Sequence, residues 1–398
     1  APHGRDHPAQ NTFYPAPQKK SSVKLALVHD YLSQDGGAER VLLALQTMWP
    51  DAPTYVWFYN KENFAGTFEG KDIRTSFIQN LPFGVSHYQW YLPLLPMATE
   101  RHDLSEFDVV VSSASSFAKG IITRPDTLHI CYCHTPTRYL WTDTHEYVDS
   151  LPYNALIKKF VIPPVISRLR LWDQLSTTRV DHFVANSRTV QARIWKYYRR
   201  ESTVIYPPVN LEHFTISPTV ENYFVTGGRL VPYKKMELVI RVFNRLKWPL
   251  KIFGTGPELK RLREIARPNI EFLGKITDEE KARVMARAQA FIHPQIEDFG
   301  ITPIESMAAG RPVIAFAKGG ALESVVPDET GVFFHRQTWE DLLDAVLHFD
   351  SSRFDPERIR NHALQFGAEA FKEKMQRFVE DRHAEFKQGL HQLALFQK

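Results

Sequence analysis

Cysteine is almost absent from this chain of 398 residues, which contains only Cys131 and Cys133. A disulfide between thiols separated by one residue would be strained, and a zinc site would need a second pair of ligands. The scarcity of cysteine therefore excludes a disulfide scaffold and argues against a zinc site. We expect both thiols to be buried and reduced, as in a cytosolic protein.

Long apolar runs are also missing from the sequence. The longest segment free of charged side chains, residues 75–99, is interrupted by Pro82, Pro93 and Pro96, so it cannot form a continuous membrane-spanning helix. Residues 1–22 contain four prolines and lack the apolar core of a signal peptide. We predict that they form a disordered tail.

The sequence has little excess charge of either sign. Its formal net charge is +4, which is too small to indicate a protein that binds nucleic acid. Hydrophobic residues make up 43% of the chain and charged residues 24%, which excludes a disordered or fibrous protein and favours a compact α/β enzyme. The length predicts about two domains.

Short β-rich runs alternate with helical patterns along most of the chain, which is typical of parallel sheets with crossover helices. The first series of predicted strands covers residues 24–28, 54–58, 109–112, 128–133, 182–185 and 203–205. The second series covers residues 224–226, 251–253, 270–273, 290–293, 313–315 and 331–333. We predict two Rossmann-like domains that face a central cleft, where ligands bind at the carboxyl ends of the strands.

Two adjacent prolines, Pro207 and Pro208, separate the two series. Proline fixes φ and lacks a backbone donor, so neither a strand nor a helix continues there. The predicted organisation is an N-terminal domain, a linker, a C-terminal domain and a final helical segment that packs back across the domains. Their predicted boundaries are residues 23–206, 207–218, 219–365 and 366–398.

A candidate anion site lies between Gly227 and Lys235, where a predicted strand leads into a helix. Flexible glycine backbone, a helix N-terminus and the cations Arg229 and Lys234 meet there. Such a group can bind phosphate and neutralise the charge that grows on a diphosphate leaving group. A solvated basic turn would show the same spacing, so the pattern alone leaves both interpretations open.

A second candidate group begins at Glu297. Gly300 and Thr302 lie at a predicted helix entry, and Pro303 occupies the favoured first helical position. Exposed amides and the Thr302 hydroxyl can hold phosphate there, while Glu297 can hold sugar hydroxyls and Glu305 a ribose diol. Each glutamate taken alone is more often a solvated charge.

In this order and separation, the two groups resemble the retaining glycosyltransferases of family 4, whose pattern is Gly-Arg-Leu-x3-Lys followed by Glu-x7-Glu. Gly254-Thr255-Gly256-Pro257 and Gly319-Gly320 look like the glycine loops of that family. The resemblance implies a GT-B fold and a nucleotide-sugar donor bound mainly by the C-terminal domain. It also implies retention at the anomeric carbon, with no obligatory metal and no cofactor.

The resemblance further implies a role for each matching residue. Arg229 and Lys234 would bind the diphosphate, Glu297 would contact the donor hexose, and Glu305 would hold the ribose. The backbone amides around the sugar and phosphate would be those of Phe299, Gly300, Ile301 and Thr302.

Gly36 and Gly37 follow the first predicted strand and begin a helix. The segment lacks the three-glycine spacing of a dinucleotide-binding fingerprint, which disfavours a hydride-transfer enzyme. In the family that the chain resembles, this loop faces the donor diphosphate across the cleft, where the missing side chains allow close approach. The alternative interpretation is an ordinary strand-to-helix turn.

His134 follows another predicted strand and begins the sequence His-Thr-Pro-Thr-Arg-Tyr-Leu-Trp. This block resembles one in bacterial family members that build surface polysaccharides and are often mannosyltransferases. The resemblance implies that His134 forms a hydrogen bond to the donor sugar or leaving group, rather than removing a proton from the acceptor. A lone histidine would otherwise usually be structural.

Residues 156–200 are strongly basic, with ten lysines and arginines against two aspartates. Aromatic and aliphatic residues lie among these cations, and a further aromatic run occupies residues 88–92. This composition suits the surface of an anionic membrane. Amphipathic helices with a buried apolar face and a solvated basic face would give the same pattern.

We therefore expect a metal-independent retaining glycosyltransferase, specifically an α-mannosyltransferase that uses GDP-mannose. The resemblance implies a polyprenyl-diphosphate-linked oligosaccharide acceptor in bacterial exopolysaccharide synthesis of the acetan and xanthan type. It also implies a cytoplasmic enzyme, peripheral on the inner face of the cell membrane. The alternatives are a UDP-glucose-dependent glucosyltransferase, a nucleotide-sugar epimerase and a non-catalytic sugar-nucleotide-binding protein.

Overall fold

Two parallel β-sheets flanked by helices form the computed structural model, which describes residues 23–33, 36–64, 66–151 and 153–395. The tail predicted for residues 1–22 lies outside the described residues. The strands are β1 (Leu25–His29), β2 (Thr54–Val56), β3 (Ile73–Thr75), β4 (Val109–Ala114), β5 (Leu128–Cys133), β6 (His182–Ala185), β7 (Ser202–Val204), β8 (Phe224–Gly227), β9 (Leu250–Phe253), β10 (Ile270–Gly274), β11 (Phe291–His293), β12 (Val313–Phe316) and β13 (Gly331–Phe334).

The helices follow the strands in the alternation expected of crossover connections. They are α1 (Gly37–Met48), α2 (Leu95–Glu100), α3 (Arg138–Trp141), α4 (Thr144–Ser150), α5 (Ile162–Ser176), α6 (Arg188–Tyr198), α7 (Met236–Leu246), α8 (Leu259–Ile265), α9 (Asp278–Arg287), α10 (Ile301–Ala308), α11 (Ala321–Ser324), α12 (Trp339–Leu347), α13 (Pro356–Leu364) and α14 (Ala368–Leu395).

The N-terminal sheet has the strand order β3-β2-β1-β4-β5-β6-β7, and the C-terminal sheet has the order β10-β9-β8-β11-β12-β13. Every strand pair is parallel. Central strands such as β4 and β5 are buried along their whole length, as apolar strands covered by helices on both faces are. The predicted fold class, two Rossmann-like parallel domains, is confirmed.

One strand was not predicted from the sequence. The edge strand β3 is only three residues long, and two of them, Arg74 and Thr75, are exposed. It therefore lacks the apolar run by which the other strands are recognised.

The strand order reverses between β1 and β4 in the first sheet and between β8 and β11 in the second. Ligands of open parallel sheets bind beyond the carboxyl ends of strands at such switch points. The loops after these four strands therefore place the candidate site.

The two domains are also joined by packed chain. Between β7 and β8, Val209, Leu211 and Phe214 are buried in the hydrophobic core of the C-terminal domain. Helix α14 returns to the N-terminal domain, where Phe371 and Met375 pack in the cluster under its sheet. Both connections are therefore anchored by apolar burial and are not free tethers.

Candidate active site

A cavity of about 700 Å³ lies between the two domains, at the switch points of the two sheets. Its N-terminal wall includes Gly37, His134, Arg138 and several aromatic residues, and its C-terminal wall is formed by two loops. The C-terminal residues that line it are Tyr233, Lys234, Ile296, Glu297, Asp298, Phe299, Gly300, Ile301 and Thr302. This cleft brings together most of the residues selected from the sequence.

An ion pair between Lys234 and Glu297 occupies the C-terminal side of the cleft. Lys234 ends the helical turn Pro232–Lys234 and is only 8% exposed. Burial lowers the pKa of its ammonium group to about 8, whereas the carboxylate in contact with it favours the charged form. A bound anion could therefore replace Glu297 as the partner of Lys234, and the hydroxyls of its sugar could replace Lys234 as the partner of Glu297.

Glycines shape the loop that carries Glu297. Gly300 has a φ of +89°, in the left-handed region that favours glycine. A Cβ on Gly319 would lie 2.4 Å from the carbonyl oxygen of Glu297, and one on Gly320 would lie 2.2 Å from that of Phe299. The predicted glycine pair 319–320 therefore packs directly against the backbone of the loop, and side chains at these two positions would displace Glu297 and Phe299.

Helix α10 begins at Ile301, directly after Gly300. Its first residues, Ile301 and Thr302, line the cleft, so this helix end supplies backbone donors with the partial positive charge that binds anions. Phe299 is fixed behind the loop by stacking on Tyr206, with ring centroids 5.3 Å apart. The arrangement can hold a phosphate group close to Lys234.

His134 lies opposite, at the end of β5, and lines the same cleft. Its Nε2 is 2.8 Å from the hydroxyl oxygen of Ser113. Burial lowers the pKa of His134 to about 3, with a further contribution from His29, so the ring is neutral at neutral pH. A neutral imidazole has one donor and one acceptor nitrogen.

Gly37 is close to the C-terminal domain, since a Cβ on it would lie 3.4 Å from Cδ1 of Ile301. Gly36 precedes α1 and does not line the cleft. A Cβ on Gly36 would lie 2.8 Å from a carboxylate oxygen of Glu39. The glycine pair thus permits close approach of the domains at Gly37 and of the Glu39 side chain at Gly36.

Besides Gly36, two residues selected from the sequence do not line the cleft. Arg229 is exposed, and its side chain has no hydrogen-bond or ion-pair partner among the described residues. Glu305 is buried in α10 and paired with Lys281 Nζ at 2.8 Å and Arg40 Nη1 at 3.8 Å. Arg40 belongs to the N-terminal domain, so Glu305 takes part in a contact between the domains.

The sequence did not reveal the ionic contact between the domains that has the shortest distances among the described residues. The carboxylate of Asp298 accepts hydrogen bonds from Arg138 Nη2 and Arg193 Nη1, each at 2.5 Å. We call these three residues the interdomain clamp. Arg138 and Asp298 are 160 positions apart, so no local pattern relates them. The block that begins at His134 contains Arg138, and Asp298 follows Glu297, but neither signal indicated an ion pair.

A third carboxylate makes a contact between the domains at helix α6. Glu323, in α11, accepts hydrogen bonds from the backbone amides of Arg188 and Thr189 at 2.7 and 2.9 Å. These amides lie in the first turn of α6 and have no partner within the helix. The C-terminal domain therefore caps a helix of the N-terminal domain.

The fully buried carboxylate of Asp173 explains much of the block that follows His134. It accepts hydrogen bonds from the Thr137 hydroxyl at 2.8 Å and the Trp141 indole at 2.7 Å, and it pairs with buried Lys119. The Tyr198 hydroxyl also donates to it at 2.9 Å. This network holds the segment 137–141, and with it Arg138, at the cleft.

Comparison with known proteins identifies the family. The model described as Glycosyltransferase Family 4 matches residues 35–213, and the model described as Glycosyl transferases group 1 matches residues 216–366. The two matches correspond to the two domains. The chain belongs to the family 4 glycosyltransferases. The predicted membership of a glycosyltransferase family is therefore confirmed.

The relatives of this glycosyltransferase include mannosyltransferases. The O-antigen chain mannosyltransferase RfbU of Salmonella typhimurium is 27% identical over 221 residues, which cover 50% of this chain and 62% of the relative. A GDP-mannose-dependent alpha-mannosyltransferase of Mycolicibacterium smegmatis is 34% identical over 155 residues, which cover 38% of this chain and 41% of the relative. The chain spans about half to two thirds of the length of the first curated relatives that it matches.

Among solved structures, HepE of Anabaena in complex with UDP is similar to this glycosyltransferase with a TM-score of 0.66 at 16% identity. The similarity covers 89% of this chain and 100% of that chain. It extends over both domains and confirms the predicted GT-B architecture.

Proposed function

We propose that the protein is a retaining α-mannosyltransferase that transfers mannose from GDP-mannose without a metal ion. The observation that carries this proposal is the ion pair of Lys234 and Glu297 beside the start of α10, facing His134 across one cleft. Relatives named as mannosyltransferases, one of them GDP-mannose-dependent, support the choice of donor.

In this proposal the donor diphosphate takes Lys234 as its main cation, and the first amides of α10 share its charge. Glu297 is then released to accept hydrogen bonds from sugar hydroxyls. The exposed side chain of Arg229 swings toward the diphosphate, and Glu305 exchanges Arg40 for the ribose diol. The acceptor hydroxyl attacks on the face from which the phosphate departs, and the departing phosphate oxygen takes its proton.

The second candidate is a UDP-glucose-dependent glucosyltransferase. It is favoured by one observation, the similarity of the fold to HepE. The structure of HepE with UDP-glucose is similar to this chain with a TM-score of 0.65. A donor panel separates the candidates: we expect GDP-mannose to raise the melting temperature and to be hydrolysed slowly. Preference for UDP-glucose would replace the first proposal by the second, and stabilisation by neither would contradict both. Formation of a 2-epimer from the donor without acceptor would indicate an epimerase.

The metal-independent part of the proposal rests on the cations already in the cleft. Among the described residues, no cluster of three or more His, Cys, Asp or Glu side chains is arranged to hold a metal ion. Lys234 and the helix amides supply the positive charge that a divalent ion otherwise provides.

We propose that the acceptor is a polyprenyl-diphosphate-linked oligosaccharide in exopolysaccharide synthesis, which requires the enzyme to work at a membrane surface. In the described part of the chain, no helix has both the length and the apolar character needed to cross a bilayer. A lipid-linked acceptor stays in the bilayer because each buried methylene holds it by about 0.8 kcal/mol. The protein must therefore dock on the surface.

The surface that supports docking lies beside the cleft. Exposed apolar side chains project from the segment that contains α2 and from the residues that precede α5, and both elements pack on one hydrophobic cluster. We call these exposed residues the apolar rim: Trp90, Leu94, Met97, Leu156, Phe160 and Val161. Tyr88, Gln89 and Leu92, next to the rim, line the cleft, so a lipid anchored at the rim would deliver its sugar end to the cleft.

Only some of the cations in the basic stretch are available for lipid headgroups. Arg170 donates to the Leu140 carbonyl at 2.7 Å and Arg193 belongs to the interdomain clamp, whereas Lys159 and Arg168 are exposed. Each cation near an anionic surface contributes about 1 kcal/mol, and salt screens it. We expect flotation with phosphatidylglycerol vesicles to decrease with salt and to decrease further in the Lys159→Glu/Arg168→Glu variant.

Two exposed cations of the C-terminal domain, Lys260 and Arg283, provide the matched control. Changing both to glutamate alters the net charge equally and should leave flotation unchanged. Equal recovery with neutral and anionic vesicles, or equal loss in both double variants, would contradict docking through the rim and favour a soluble acceptor.

A further inference from the structure

The hydroxyl of Ser113 lies between two imidazole rings, one of which, that of His134, lines the cleft. Its oxygen is 2.8 Å from Nε2 of His134 and 3.1 Å from Nδ1 of His29. His29 ends β1, Ser113 is the penultimate residue of the adjacent strand β4, and His134 follows β5. His29 is directly paired with Ser113 in the sheet. Ser113 is fully buried and His29 is 3% exposed, so water does not compete for these hydrogen bonds.

The single hydroxyl proton of Ser113 couples the tautomers of His29 and His134. A serine hydroxyl has one proton to donate, so when it donates to one imidazole nitrogen it must accept from the other. Burial lowers the pKa of both histidines, which makes both rings neutral at neutral pH. Each ring then carries one proton, and the tautomer of one determines the tautomer of the other.

We propose that His29 donates from Nδ1 to Ser113, and that Ser113 donates to Nε2 of His134, so that His134 keeps its proton on Nδ1. Nδ1 has no hydrogen-bond partner among the described residues, and His134 lines the cleft. His134 therefore offers an N–H donor to the oxygens of the sugar or phosphate. The reverse chain would present a lone pair, which can accept from a sugar hydroxyl but repels the oxygens of the phosphate. Ser113 and His29 are positioning residues, and their role rests on the proposed contact between His134 and the donor.

The same strand contains a matched control. The hydroxyl of Ser112, the preceding residue, is 2.8 Å from Nε2 of His129. Both Ser112 and His129 are fully buried, and alternation along a strand places Ser112 on the opposite face of the sheet from Ser113. Ser112→Ala thus removes an equally short, equally buried serine–histidine hydrogen bond that does not reach the cleft.

The tautomer can be measured without any ligand. In the full-length chain labelled with ¹⁵N-histidine, we expect the shifts of His134 to show a protonated Nδ1 and an unprotonated Nε2. Ser113→Ala should shift this ring toward a mixture of tautomers, whereas Ser112→Ala should leave it unchanged. A protonated Nε2 in the wild-type chain would overturn the proposed direction of the hydrogen bonds.

Kinetics with GDP-mannose then separate this inference from the proposed function. Ser113→Ala should lower kcat/KM for hydrolysis by about ten- to a hundred-fold, because the N–H of His134 is then no longer held toward the sugar or phosphate oxygen. Ser112→Ala should leave kcat/KM unchanged. His29→Asn, whose amide can donate from near the Nδ1 position, should retain most activity, and His29→Leu should not. In the His134→Ala background, Ser113→Ala should cause no further loss.

Two failures have different meanings. If His134→Ala has wild-type kinetics, the proposed contact of His134 with the donor is wrong. If His134→Ala is impaired but Ser113→Ala and Ser112→Ala lose activity equally, the contact stands and the positioning role of Ser113 is refuted.

Discussion

Replacing Asp298 by asparagine is the sharpest perturbation of the contact between the two domains. The substitution keeps the shape of the side chain but removes the charge that accepts from Arg138 and Arg193. The Asp298 side chain is 13% exposed and that of Arg193 is 22% exposed, so this pair is largely shielded from solvent. The Arg138 side chain is 43% exposed, and its contribution is reduced by solvent screening.

The expected loss follows from these contacts. An asparagine amide has one acceptor oxygen, so it can accept from only one of the two arginines and turns an N–H donor toward the other. A hydrogen bond to a charged group contributes about 1.5–3 kcal/mol, and losing the more exposed of the two gives about 2 kcal/mol, or roughly a thirty-fold shift toward separated domains. Since the donor contacts both walls of the cleft in the proposed function, its KM should rise by about ten-fold or more.

Small-angle scattering and donor kinetics test this expectation together. We expect Asp298→Asn to increase the radius of gyration and the KM, and to be non-additive with Arg193→Gln. The control is Glu237→Gln, which weakens a 2.7 Å ion pair with Arg261 inside the C-terminal domain and should change neither quantity. If Asp298→Asn has wild-type scattering and wild-type KM, the clamp does not hold the domains together.

Three further outcomes are expected. The kcat/KM for the donor sugar nucleotide should fall as pH rises through about 8 or above, because burial lowers the pKa of Lys234 to about 8 and the neutral amine leaves diphosphate charge uncompensated. Lys234→Ala should lose most activity and should not show this fall. If Lys234→Ala has the pH profile of the wild type, Lys234 does not bind the diphosphate. EDTA should leave most activity, and complete loss restored by Mg²⁺ or Mn²⁺ would contradict metal independence. A Cβ on Gly320 would lie 2.2 Å from the Phe299 carbonyl oxygen, so Gly320→Ala should weaken donor binding, measured by calorimetry, and lower the free energy of unfolding by about 1–3 kcal/mol, measured by chemical denaturation. Wild-type values of both would show that the loop adapts.

The sequence predicted those parts of the fold that repeat a local pattern. Buried strands such as β5 and β6 have the predicted bounds, because an uninterrupted apolar run is recognisable wherever it occurs. The edge strand β3 carries exposed Arg74 and Thr75, so its position depends on the neighbouring strand β2 and not on its own composition.

The site was predictable where its residues form a motif and not where it depends on distant partners. Lys234 and Glu297 belong to recognisable blocks, and the structure brings them into contact. Asp298, Arg193 and Ser113 belong to no local pattern, since their roles arise from partners in other strands or in the other domain. The resemblance to family members indicated Arg229 and Glu305 as donor ligands, but Arg229 is exposed outside the cleft and Glu305 is paired with Lys281 and Arg40.

Analysis of the reaction product tests the central claim most directly. The full-length protein is incubated with GDP-mannose and a polyprenyl-diphosphate-linked oligosaccharide, and the product is examined by mass spectrometry and by the coupling constant of its new anomeric carbon. We expect release of GDP and one added hexose in α linkage, because retention keeps the α configuration of the donor. A β linkage would contradict retention, and failure to transfer mannose to any lipid-linked saccharide would contradict the proposed mannosyltransferase.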